Sequence, residues 1–205
     1  MRSAIVLLAL GSIPAVARGQ TCMGQTSYAS GSIKAAAGVE FGGNHETGFW
    51  GGAGIGRPRS WFAGGSAGII SGTGQSSFGL AGMGGLELKK PLVGKLEVCP
   101  MVGIHHQFGD MGFTDFIAAA SAAYPLGSPS ANTRLMLVGG YQGIYERYSI
   151  TVGNAEEWYG NLDLGVGLLF DRRFSVVPQV RIPIRYGGGR DVSFIVRGSV
   201  NLGGK

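Results

Sequence analysis

The most regular feature of the chain is an alternation of apolar and polar positions toward its C-terminal end. Trp158, Leu162, Leu164, Val166, Leu168 and Phe170 share one parity, while Asn161, Asp163, Gly165 and Asp171 share the other. Successive side chains of a strand point to opposite faces, so this period of two predicts an extended segment with one apolar face. The alternation resumes after Asp171-Arg172-Arg173, where Phe174, Val176, Val180, Ile182, Ile184 and Tyr186 oppose Ser175, Gln179, Arg181 and Arg185. Gly187-Gly188-Gly189 predicts another turn. Beyond it, Val192, Phe194, Val196, Val200 and Leu202 alternate with Ser193, Arg197, Ser199 and Asn201.

The same pattern recurs upstream. Ile33, Ala35, Ala37, Val39 and Phe41 oppose Ser32, Lys34, Gly38 and Glu40, and Leu96, Val98, Val102 and Ile104 oppose Lys95, Glu97 and Gln107. The stretch 60–86 carries no charge, which by length alone suggests a membrane helix. Its nine glycines and the turn-like Gly72-Thr73-Gly74 instead predict two strands. Ten candidate strands follow, at 27–42, 46–56, 59–71, 76–89, 93–107, 112–124, 133–149, 157–171, 173–186 and 190–203. The second and sixth are the weakest. Single-chain bacterial barrels use even strand numbers so that both ends return to one side, which makes eight strands the alternative to ten.

These elements predict an all-β fold, a closed antiparallel up-and-down transmembrane β-barrel. Strands of about 9 to 11 residues match a bilayer, and only an edgeless sheet satisfies every backbone group in hydrocarbon. A charged parity of mixed sign suits an interior of ion pairs better than a solvated exterior. The aromatic residues Trp158, Phe170, Phe174 and Tyr186 stand near strand ends, as an interfacial girdle requires.

Composition sharpens this picture. The chain has 39 glycines in 205 residues and only 14% charged residues, an unusual pairing for a soluble helical enzyme. At the N-terminus, Arg2, the apolar run Ile5 to Leu10 and Ala15-Val16-Ala17 read as a secretory signal over 1–17, with a second cleavage option after Gly19. The domain plan is therefore a signal peptide, an N-terminal segment at 18–26 and a barrel at 27–203. The net charge is +5, but the basic residues are scattered singly, which argues against nucleic acid as a partner. Thr21 before Cys22 does not fit a lipidation site. In an oxidising compartment Cys22 and Cys99 either pair or remain two thiols.

With its signal segment, dyad strands and Gly-rich turns over roughly 27–203, the chain resembles the small outer-membrane β-barrel superfamily that includes the opacity-like and OmpA transmembrane-domain families. The resemblance implies an outer-membrane location, with membrane lipid and the barrel-insertion machinery as partners. The chain departs from that pattern by ending Val200-Asn201-Leu202-Gly203-Gly204-Lys205 without a terminal aromatic residue.

Candidate chemistry is sparse. His45, His105, His106, Asp110 and Asp115 place imidazole and carboxylate near an outer rim, yet no recurrent metal-ligand or hydrolase spacing surrounds them. No catalytic residue, metal or cofactor is expected. The Gly-x-Gly runs lack the βαβ unit of a nucleotide site. The inward parity collects Lys34, Glu40, Glu87, Lys95, Glu97, Arg134, Glu146, Asp163, Arg181, Arg185 and Arg197. Opposite charges in the bore of an eight- to ten-stranded barrel fill it, whereas open pores need about 16 strands. The function expected is non-enzymatic, a structural or surface-contact role in the cell envelope with any surface ligand unidentified. A narrow solute or ion channel lined by Arg181, Arg185 and Arg197 is the alternative, and a surface hydrolase using the rim histidines a more distant one.

Overall fold

The computed structural model describes Cys22 and most of the residues from Ile33 to Leu202, apart from short connecting segments at 43–45, 58–59, 73–74, 89–94, 110–111, 128–132, 151–152, 171–172 and 185–190. The signal segment, the rest of the 18–26 segment, and the positions of Arg185, Tyr186, His45 and Asp110 lie outside the described residues.

Among the described residues ten strands form one sheet. They are β1 (Ile33–Phe41), β2 (Thr47–Gly56), β3 (Trp61–Gly72), β4 (Gln75–Leu86), β5 (Glu97–Phe108), β6 (Phe113–Leu126), β7 (Thr133–Ile150), β8 (Gly153–Phe170), β9 (Phe174–Ile184) and β10 (Ser193–Leu202). Each pairs antiparallel with its sequence neighbours, and β1 closes on β10 in the register Ile33↔Leu202 through Phe41↔Phe194. The ten-strand reading holds and the eight-strand alternative does not.

Parity determines which side chains face out. Leu164 and Val180, paired across β8 and β9, stand exposed on the outer surface with Phe194 of β10, while Asp163, Gln179 and Arg197 on the opposite parity are buried. Pro178 also points outward. It has no N–H to donate, and the β8–β9 ladder skips the two pairs around it between Gly165↔Gln179 and Leu168↔Val176. A closed antiparallel sheet with an apolar outside and a charged inside has its hydrophobic solvent in lipid, so the chain is a β-barrel of the outer membrane. Among the described residues no helix is long and apolar enough to cross a membrane.

Strand lengths are unequal. At a rise of roughly 3.3 Å and a tilt near 40°, nine to twelve residues climb about 23 to 30 Å, close to the apolar band of such barrels. Strands β7 and β8 have 18 residues each, about 45 Å on the same estimate, and reach well past their neighbours. The candidate strands 133–149 and 157–171 leave a connection between them, whereas the ladder continues through Ser149↔Asn154 to Ile150↔Gly153. The alternation there is limited to Ile150 and Val152 before Gly153-Asn154, too short a run to signal a strand. The pairing there rests on backbone bonds carried upward from the membrane portion.

Candidate functional site in the lumen

The interior has three levels. The inner rim, where β1 begins and β10 ends, is packed. Cys22 forms a disulfide with Cys99 of β5, with Cα atoms 5.4 Å apart, and the pair packs with Phe62 and Met101. The bond therefore brings Cys22, which precedes the barrel strands, against the inner wall. On the other wall Met136, Val138, Leu169 and Val177 form a second buried cluster. These inward apolar residues, together with Ile195, break the simple polar-in rule. Lys34, Glu87, Glu97 and Arg134 are buried as well, and Lys34 interacts electrostatically with Glu87. Lys95 is only partly buried.

Midway up, Asp163 of β8 is 1% exposed and gathers the central network. It accepts hydrogen bonds from Arg181 Nε at 2.9 Å and Gln142 Nε2 at 2.9 Å, and Arg197 Nη2 lies 3.7 Å from it. Arg181 also reaches Glu40 at 3.3 Å, and Ser193 Oγ donates to the same carboxylate at 2.6 Å. The Arg197 guanidinium lies over the Trp50 ring, 6.0 Å from its centroid. Two cations and two carboxylates thus form a neutral cluster across β1, β8, β9 and β10. Closure explains it: β1 and β9 flank β10, so Glu40 and Arg181 meet although 141 residues apart in sequence.

Toward the outer rim, β5 and β6 bring His105 beside Asp115, with Nδ1 and Oδ2 3.1 Å apart. His106, on the opposite parity, bonds Thr114 Oγ1 at 2.9 Å and packs edge-on against Phe108. The two adjacent histidines therefore face opposite sides of the wall and do not form one site. His105 Nε2 sits over Gly79, where a Cβ would come within 2.7 Å. In the same upper region Tyr159 Oη donates to Glu146 at 3.3 Å. Among the described residues no group of three His, Cys, Asp or Glu side chains is arranged to hold a metal ion.

A cavity of about 730 Å³ occupies the remaining interior, reaching from Phe62 and Met101 up to Asp115 and Asp191. It exists because inward positions of β2 and β3 are small: Gly48, Gly52, Gly54, Gly64, Ser66 and Gly68 leave the backbone as wall. Trp50, Gln142, Tyr159, Asn161 and Ser193 line the lumen too, and Gln142, Tyr159 and Ser193 each donate to one of its carboxylates, although none of the five is charged. Their parity was the available signal.

On the outer surface Trp158 is 71% exposed and stacks with Tyr145, whose ring neighbours Phe116. Phe170 and Phe174 face outward at the inner rim and pair across β8 and β9.

No family model matches the chain, and no curated protein matches it in sequence. Among solved structures, the N-terminal β-barrel domain of Pseudomonas aeruginosa OprF is similar with a TM-score of 0.42 at 9% identity, covering 83% of this chain and 96% of that one. The KdgM porin in complex with disordered oligogalacturonate gives 0.41 at 8%, covering 83% and 99%. LpxR from Salmonella typhimurium gives 0.44 at 6%, covering 77% and 73%. At this level the likeness is one of barrel form alone.

Proposed function

We propose that this chain is a non-conducting, non-enzymatic outer-membrane barrel with a structural and surface-contact role in the envelope. The observation that carries the reading is the inner rim. The Cys22–Cys99 disulfide and its Phe62 and Met101 neighbours pack one wall, and Met136, Val138, Leu169 and Val177 pack the other. A solute path would have to pass this packed rim, where the two apolar clusters stand beside buried Lys34, Glu87, Glu97 and Arg134, and then the neutral Asp163 cluster, and a plugged, ion-paired bore conducts poorly. The tall β7–β8 hairpin supports the surface-contact part of the reading, because its upper residues stand beyond the membrane band.

The decisive experiment is conductance of the purified, oxidised barrel in planar bilayers. The expected record is silent at 1 M salt, and Cys22→Ser with Cys99→Ser produces flickering openings as the N-terminal segment is freed. Steady ion-selective steps from the oxidised wild type, altered by Arg181→Ala, would establish a channel and end this reading.

A further inference from the structure

The upper part of the cavity is built differently from its packed floor. Phe113, Asp115 and Ile117 share the inward parity of β6, so a carboxylate stands between two apolar side chains on one wall. Asp115 is 5% exposed. Its Oδ2 is engaged by His105, while its Oδ1 is buried and has no hydrogen-bond partner among the described residues. A buried carboxylate oxygen without a donor is costly, and such groups are normally completed by water or a bound molecule. The cavity volume lies in the range that encloses a small organic ligand.

Charge selects the kind of ligand. Arg181 and Arg197 are matched by Glu40 and Asp163, and Lys34 interacts with Glu87. Among the described residues Glu46, Asp115 and Asp191 line the outer part of the cavity, with the His105 ring 3.1 Å from Asp115. Carboxylates lining a mouth favour a cation over an anion. A hard metal ion needs several oxygen ligands, and none of the described residues supplies such a set. An ammonium group on an apolar body satisfies both features, since N–H donors complete Asp115 Oδ1 and the body lies against Phe113 and Ile117. The Phe113 ring adds a cation–π surface.

We propose that the outer half of the lumen binds a small organic ammonium ion, held by Asp115 and by the apolar faces of Phe113 and Ile117. This goes beyond the structural role proposed above, and a closed barrel whose cup stays empty would refute one without the other.

The test is isothermal titration of the full mature barrel in detergent, its folded state verified by heat-modifiable migration on gels. The probes are benzylammonium, its neutral analogue benzyl alcohol and the anion benzoate. Benzylammonium is expected to bind at least tenfold more tightly than benzyl alcohol, with no binding of benzoate. Asp115→Asn reduces the ammonium to the level of the alcohol. Ala81→Phe, which projects a ring into the cavity from β4, abolishes binding of both and leaves Asp115 in place, so it tests the location even if Asp115→Asn does not fold. Absence of benzylammonium binding by the wild type, equal binding by Asp115→Asn, equal binding of benzoate, or unimpaired binding by Ala81→Phe would each overturn the proposal.

Discussion

Removing the Asp163 side chain is the sharpest perturbation of the barrel interior. The carboxylate is almost fully buried and accepts from Arg181 at 2.9 and 3.3 Å and from Gln142 at 2.9 Å, with Arg197 at 3.7 Å. Asp163→Ala removes the carboxylate that both guanidinium groups approach, so the loss includes the cost of poorly compensated charge as well as lost hydrogen bonds. Breaking a buried ion pair in this way costs about 3 to 5 kcal/mol. Glu40→Gln should cost less, about 1 to 2 kcal/mol, because that side chain is 31% exposed and solvent takes up part of the load. The double substitution Asp163→Leu with Arg181→Met removes one buried charge of each sign and should recover more than half of the Asp163→Ala loss. The assay is urea-titrated folding into liposomes, read by the shift between folded and unfolded bands on unboiled gels. An Asp163→Ala loss below about 1 kcal/mol, or a larger loss for Glu40→Gln, would refute the assignment of Asp163 as the centre of the network.

Two further substitutions test the wall itself. Leu164→Arg places a charge on the outer face about midway along the span and is expected to lower stability by about 2 to 4 kcal/mol in the same assay, whereas a negligible change would mean that this parity does not meet hydrocarbon. Gly165→Ala drives a methyl group into the backbone of Pro178 and within 2.6 Å of Gln179 Cγ, and overpacking of this kind costs about 1 to 3 kcal/mol. Gly51→Ala, whose nearest contact would be 3.9 Å away, should be close to neutral, so equal effects of the two would argue against the close β8–β9 approach.

Much of this architecture is a local property of the chain. A period of two is written residue by residue, and a parity holding Leu164, Val180 and Phe194 has one apolar face whatever lies beside it. Strand number, antiparallel order and the sorting of side chains into outside and inside follow from that pattern and from the turn residues. The parity rule also placed Asp163, Arg181 and Arg197 in the interior, and the spacing of Cys22 and Cys99 left their pairing open. The tip of the β7–β8 hairpin was invisible because its only alternation, Ile150 and Val152, is too short to read as a strand, while the backbone ladder continues to Ile150↔Gly153.

Partnership inside the barrel was decided only by closure. Which of the inward charges meet depends on the stagger between strands and on which strand β1 joins, and neither quantity is encoded in any short window. Glu40 finds Ser193 because β1 closes on β10, and Arg181 because β9 flanks β10 on its other side, while His105 parts from His106 because one residue of parity separates lumen from outer surface. The cavity arises the same way, since single glycines on β2 and β3 become a wall only when register sets them side by side. Alternation is a one-dimensional signal, whereas neighbourhood across a closed sheet is a three-dimensional one.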